Sequence, residues 1–127
     1  MPLPQHLARY RIADLALDTF PYTSHTTASD ALWCGCPLVG LRGNSFASRV
    51  SASILGTCGL PDLVTDTLPQ YEQKIITLAT DRTTLAEVKS RIATARDHAP
   101  LFDATAFTHD FEQILITIHS RAYNTPP

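Results

Sequence analysis

The stretch ADLALDTFPYTSHTTASDALWCGCPLVGL, residues 13–41, decides the fold class of this chain. The short apolar centre of residues 13–18 suits a buried strand, and residues 37–41 predict a second one. Between them a helix is predicted from about Thr26 to Trp33, with Ser24 as its cap. This order of strand, helix and strand favours an α/β fold, a parallel sheet with helices on its faces.

The same alternation continues outward from this stretch. Residues 63–65 predict a third strand, after a helix that carries Phe46, Val50 and Ile54 on one face. Three helices are then expected: one capped by Thr67, one capped by Asp81, and one that follows Asp103 or Thr105. The last has an apolar stripe made of Phe107, Phe111, Leu115 and Ile118. Residues 124–127 are predicted to be a frayed tail, and residues 1–127 to form a single domain.

Composition excludes several classes of function. A hydrophobic fraction of 44% and a charged fraction of 17% are typical of an ordinary globular domain. The net charge of −2 gives no reason to expect nucleic acid or an anionic membrane as a partner. We find neither an apolar run long enough for a membrane span nor a signal peptide, so the default expectation is a cytoplasmic protein. The cysteines Cys34, Cys36 and Cys58 are expected to be small buried side chains, and no metal site is predicted.

The densest polar cluster is residues 24–30, at the turn from the first strand into the first predicted helix of the sheet. Open α/β sheets bind ligands at such turns, and the free amides of a helix N-terminus attract anions. Thr26 and Thr27 add hydroxyl donors, and His25 adds a ring donor. Asp30 lies one turn further along, where its carboxylate could accept hydrogen bonds from a ribose diol.

Two other interpretations of this cluster stay open on the residues alone. Ser, Thr and Asp gather at helix N-termini simply to cap them, and most such clusters bind nothing. A hydrolase that uses His25 and Asp30 as acid and base is the weaker alternative, because side chains on adjacent turns of one helix offer no nucleophile positioned between them.

The chain as a whole resembles the O-linked N-acetylglucosamine transferases and their bacterial SPINDLY-like relatives. The elements that carry this resemblance follow one another in unbroken order: His6-Leu7-Ala8-Arg9, Ile12-Ala13-Asp14, Leu17-Asp18-Thr19, His25-Thr26-Thr27-Ala28-Ser29-Asp30-Ala31-Leu32-Trp33, Gly35-Cys36-Pro37, Gly43-Asn44-Ser45-Phe46-Ala47-Ser48-Arg49-Val50, Gly59-Leu60, Pro100-Leu101-Phe102-Asp103 and Phe107.

The resemblance implies a Rossmann-like parallel sheet flanked by helices, the C-terminal half of a two-domain glycosyltransferase of the GT-B type. It implies that His25, Thr26 and Thr27 contact the diphosphate of a uridine diphosphate sugar and that Asp30 holds the ribose. It also implies that His6 and Arg9 lie at the uracil. It identifies no catalytic group in this chain and calls for no metal or cofactor besides the donor substrate.

The expected function is therefore to bind UDP-N-acetylglucosamine for a protein O-GlcNAc transferase, which moves the sugar to Ser or Thr of a protein acceptor. The N-terminal catalytic half and the helical repeats of the family are expected partners, and the isolated chain is expected to be inactive. The alternative is a stand-alone, non-catalytic nucleotide- or anion-binding module. The sugar itself stays open, because some SPINDLY relatives use fucose on a different nucleotide.

A docking face is predicted on the loop side of the sheet, from the aromatic loop residues Phe20, Pro21, Tyr22 and Phe46.

Overall fold

A computed structural model of the chain describes residues 2–123. Its regular elements are α1 (Leu3–Ala8), β1 (Ala16–Leu17), α2 (Thr26–Trp33), β2 (Leu38–Leu41), α3 (Val50–Thr57), β3 (Val64–Thr65), α4 (Leu68–Thr80), α5 (Arg82–His98) and α6 (Ala104–Tyr123). Short 3₁₀ turns cover Arg9–Ile12, Phe46–Ser48, Pro61–Leu63 and Pro100–Phe102. The predicted α/β class is confirmed.

The three strands form one parallel sheet with β2 in the centre. Ala16 lies opposite Leu38 in β2, and Gly40 of β2 lies opposite Val64. The first strand is shorter than predicted, because the Ala13 amide still bonds back to the Tyr10 carbonyl at 3.3 Å. Pairing with β2 therefore begins only where the Ala16 amide donates to Pro37.

Local signals place most helix ends where the sequence predicts them. Helix α2 covers Thr26–Trp33, and Gly35 follows it with φ of +80°, a conformation that glycine adopts without strain. The Thr67 hydroxyl accepts from the Gln70 amide at the start of α4. The Asp81 carboxylate accepts from the Thr83 and Thr84 amides at the start of α5.

The core lies between the sheet and helices α2 to α5. Its fully buried side chains include Leu32, Val39, Leu55, Leu78 and Ile92. Two of the three cysteines are buried as expected; Cys34, however, is only half-buried. All three are free thiols, and burial raises the pKa of each.

Helix α6 extends from the 3₁₀ turn Pro100–Phe102 and covers little of the core. Its predicted apolar stripe is present but is not buried, since Phe107, Phe111, Leu115 and Ile118 are all 50% or more exposed. The predicted tail, residues 124–127, lies outside the described residues. Among residues 2–123 no helix combines the length and the hydropathy that crossing a bilayer would require.

Candidate functional site

The first turn of α2 leaves two backbone donors unused. His25 is the N-cap residue, and its carbonyl accepts from the Ala28 and Ser29 amides at 3.0 and 3.3 Å. The amides and hydroxyls of Thr26 and Thr27 form no hydrogen bond with any residue in the described part of the chain, and both residues are exposed. A helix start with free, outward amides suits an anion.

The imidazole of His25 is fixed beside this helix start by two aromatic rings. It stacks on Tyr22 at a centroid distance of 4.8 Å with planes 17° apart, and it meets Phe46 edge-on at 6.2 Å. Its Nε2 atom is buried and has no hydrogen-bond partner among residues 2–123. An unpaired buried polar atom is uncommon and calls for an explanation, such as a ligand that supplies the missing partner.

The prediction that Ser24 caps α2 is wrong. No side chain caps this helix, and the Ser24 amide instead donates to Oδ1 of Asp18 at 2.6 Å. Asp18 is a buried carboxylate directly after β1, and it holds the end of the β1–α2 loop. The N-cap position consequently falls on His25.

One turn further along α2, Asp30 meets α1. Its Oδ2 lies 3.5 Å from Nε2 of His6, with side-chain exposures of 23% and 35% respectively. The ring of His6 also contacts Tyr10 edge-on at 5.6 Å. Burial raises the pKa of Tyr10, the charge of Asp30 raises it further, and the charge of Arg9 opposes the shift.

The six residues singled out by the sequence therefore fall into two groups. His25, Thr26 and Thr27 surround the start of α2. His6 and Asp30 are in contact where α1 meets α2, and Arg9 begins the 3₁₀ turn that continues α1, with an exposed side chain. Asp30 is on the helix that Thr26 begins, so the two groups share α2.

A separate groove of about 670 Å³, which Phe46 also lines, lies between α3 and the residues around β3. Arg42 and Arg49 line it together with apolar side chains. Nη1 of Arg49 donates to the Gly43 carbonyl at 2.9 Å. Within residues 2–123, no cluster of three or more His, Cys, Asp or Glu side chains is placed to hold a metal ion.

Sequence reasoning missed two features of this site. It treated Tyr22 and Phe46 only as docking residues, although both rings contact His25. It also gave no role to Asp18, whose partners include Ser51 on α3. Such long-range contacts leave no periodic signal; the only hint was a carboxylate at the end of an apolar strand.

Comparison with known proteins gives the same family from sequence and from structure. The model of glycosyl transferase family 41 matches residues 2–111. A UDP-N-acetylglucosamine–peptide N-acetylglucosaminyltransferase from Caenorhabditis elegans is 39% identical over 111 residues, which are 87% of this chain and 10% of that protein. A protein from Solanum lycopersicum named "Probable UDP-N-acetylglucosamine--peptide N-acetylglucosaminyltransferase SPINDLY" is 36% identical over 86% of this chain and 12% of its own length.

Among solved structures, a mutant O-GlcNAc transferase from Thermobaculum terrenum superposes with a TM-score of 0.86 and 36% identity. The match covers 91% of this chain and 22% of that one. The chain thus spans about a tenth of the length of the two curated relatives and about a fifth of the solved one. Because a family model matches most of its length and the fold agrees, the chain belongs to glycosyl transferase family 41.

Proposed function

We propose that this chain is the part of a protein O-GlcNAc transferase that binds the donor, UDP-N-acetylglucosamine. The observation that carries the proposal is the start of α2, where His25 Nε2 is buried without a partner beside the free donors of Thr26 and Thr27. The family to which the chain belongs and the names of its relatives support the same assignment.

The diphosphate would bind at the start of α2. The Thr26 and Thr27 amides and hydroxyls would donate to its oxygens, and the partial positive charge of the helix start would favour the anion. His25 Nε2 would gain the partner that it lacks, from a ring that Tyr22 and Phe46 already hold in place. As the sugar leaves, these donors would stabilise the charge that develops on the departing diphosphate.

The nucleoside would lie toward α1. Asp30 would accept from the ribose hydroxyls, since its Oδ1 has no hydrogen bond to any residue in the described range. His6 lies beside that carboxylate, and its ring face would stack on the uracil. Arg9, one turn along from His6, would add a hydrogen bond to the base.

Transfer of the sugar to Ser or Thr of a protein acceptor would require groups outside this chain. The described residues offer donors for a leaving group, but we assign none of them as the base that activates the acceptor hydroxyl. The chain alone should therefore bind the donor and give no turnover with labelled UDP-N-acetylglucosamine and a peptide library. Turnover by the chain alone would show that this division of labour is wrong.

Titration calorimetry on the 127-residue chain tests the binding itself. We expect UDP and UDP-N-acetylglucosamine to bind, uridine to bind more weakly, and GDP and GDP-fucose to bind more weakly than the uridine nucleotides. Equal affinity for UDP and inorganic pyrophosphate would favour the simple anion module, because it removes any role for the nucleoside. If millimolar UDP produces neither a binding heat nor a change in NMR chemical shifts, donor binding is contradicted.

A further inference from the structure

Buried polar side chains lie in and against the β1–α2 loop, where Asp18, Thr23 and Ser51 are in contact. Five polar side chains are buried among the described residues: Asp18, Thr23, Ser48, Ser51 and Thr65. Asp18 is 4% exposed and carries the only formal charge of the five. A buried carboxylate is costly unless donors surround it, so its surroundings indicate what it does.

Asp18 connects the β1–α2 loop, α3 and α4 to the end of β1. Its Oδ1 accepts from the Thr19 amide at 3.0 Å and from the Ser24 amide at 2.6 Å. Its Oδ2 accepts from the Ser51 hydroxyl of α3 at 2.5 Å. Its main-chain carbonyl accepts from the Tyr71 hydroxyl of α4 at 2.6 Å. None of the ion pairs found between described residues includes its carboxylate.

The loop that Asp18 holds ends directly at the proposed diphosphate site. Oδ1 spans the loop from Thr19 to Ser24, and the residue after Ser24 is His25, the N-cap of α2. Thr23 is fixed independently, because its amide and hydroxyl donate to the Ala47 carbonyl at 2.9 and 2.8 Å. Residues 23 and 24 are therefore both anchored just before the helix begins.

We infer that Asp18 is a positioning residue for the diphosphate: through the Ser24 amide, its Oδ1 fixes where α2 starts and where His25, Thr26 and Thr27 point. The inference rests on the proposed function. A ligand held by several donors needs all of them in register, and a displacement of about 1 Å can lose much of their combined effect. Asp18 itself touches no ligand atom in this arrangement.

A purely structural role for Asp18 is the competing explanation. Substitutions that remove or keep the acceptor at Oδ1 distinguish it from the positioning role. Asp18→Ala removes the anchor of Ser24. Asp18→Asn can keep it, because the amide oxygen still accepts from Thr19 and Ser24 while the amide nitrogen faces the Ser51 hydroxyl. Tyr71→Phe is the matched control, because it removes a buried hydrogen bond of the same residue but leaves Oδ1 untouched.

Two measurements on the full 127-residue chain test the inference: UDP and uridine affinity by calorimetry, and amide exchange of residues 19–28 by NMR. We expect Asp18→Ala to weaken UDP binding by about tenfold or more, which is the effect of losing one or two hydrogen bonds to a charged ligand. Uridine affinity should stay within about twofold, since the nucleoside contacts lie on α1 and at Asp30. Amide exchange at Ser24 should accelerate in Asp18→Ala. Asp18→Asn should restore UDP binding. Tyr71→Phe should lower thermal stability without changing the ratio of UDP affinity to uridine affinity.

Equal loss of UDP and uridine affinity in Asp18→Ala, or unchanged exchange at Ser24, would overturn the positioning role. If Asp18→Ala does not fold, Asp18→Ser replaces it, since its hydroxyl is one bond too short to reach the Ser24 amide. If the wild type binds no UDP, the proposed function fails, and exchange at Ser24 still decides whether Asp18 holds the start of α2.

Discussion

The imidazole of His6 and the carboxylate of Asp30 face each other across the contact of α1 with α2, with Nε2 3.5 Å from Oδ2. The pair is only partly exposed, so each group restricts the other's rotamers. A ligand hydroxyl that donates a hydrogen bond to Asp30 would therefore find the carboxylate already oriented. This preorganisation reduces the entropy that binding must overcome.

Asp30→Asn should weaken UDP binding by about tenfold to a hundredfold, the range for one lost bond to a charged acceptor. The amide keeps the shape of the side chain but replaces one acceptor oxygen with a donor. Discrimination between UDP and its 2′-deoxy analogue should shrink as well. Calorimetry with both nucleotides measures the two effects.

The chain supplies a matched control for Asp30 in a second His–Asp pair on α6. His109 Nδ1 lies 3.4 Å from Asp110 Oδ1, and both side chains are well exposed. Asp110→Asn should leave UDP affinity unchanged. If Asp30→Asn binds UDP as the wild type does, Asp30 does not hold the ribose.

His25→Phe should weaken the binding of UDP but leave the binding of uridine unchanged. The phenyl ring can keep the stack on Tyr22 and the edge contact with Phe46, but it has no donor at the Nε2 position. We expect a loss of about tenfold for UDP, again the size of one hydrogen bond to a charged group. His119→Phe is the control, since that ring also contacts a tyrosine, Tyr123, at 4.4 Å on α6. An equal loss for uridine would assign His25 to the nucleoside or to folding instead.

Much of the fold could be predicted from the sequence because its signals are local. Thr67 and Asp81 cap the helices that follow them, and the run from Thr26 to Trp33 is helical at the predicted bounds. Ser24 shows where local reasoning fails. It has the side-chain chemistry of a cap, but its amide donates to the carboxylate of Asp18, six residues earlier, and the N-cap position falls on His25.

The candidate site could be predicted only as a cluster of donors at a helix start. The sequence places Thr26, Thr27 and Asp30 on one helix without any knowledge of the rest of the fold. The contact of His6 with Asp30 depends on how α1 packs against α2, which no periodicity encodes. The exposed stripe of α6 illustrates the same limit, because amphipathicity predicts an apolar face but not what covers it.

Two glycines of the chain should respond oppositely to alanine. A Cβ on Gly43 would lie 2.5 Å from Oγ of Ser48, a residue of the 3₁₀ turn that precedes α3. A Cβ on Gly56 would meet nothing within 4 Å. Gly43→Ala should therefore lower the free energy of unfolding by about 1–3 kcal/mol, as overpacking does. Gly56→Ala lies in α3 and should be neutral or stabilising by up to about 1 kcal/mol. Denaturant melts of both variants measure the difference, and equal stabilities would contradict the close approach at Gly43.

Asp62 should contribute to stability only above the pH at which it is protonated. Arg91 donates to both its carboxylate oxygens, at 3.0 and 2.5 Å, and these hydrogen bonds hold the pKa of Asp62 below the ordinary value of 3.8. The folded state binds this proton less tightly than the unfolded state. The stabilisation is therefore fully present above pH 3.8 and is lost as the pH falls through the lower folded-state pKa.

Because both partners are nearly half exposed, the pair should be worth at most about 1 kcal/mol. Asp62→Asn should unfold at slightly lower denaturant concentration than the wild type at neutral pH, and the gap should close as the pH is lowered toward about 2. Arg91→Gln should show a somewhat larger gap, because Nη2 of Arg91 also donates to the Gly59 carbonyl at 3.1 Å. The double variant should lose little more than Arg91→Gln alone, since both changes remove the Asp62–Arg91 interaction. A gap that persists undiminished in acid would mean that Asp62 stabilises the fold through something other than its charge.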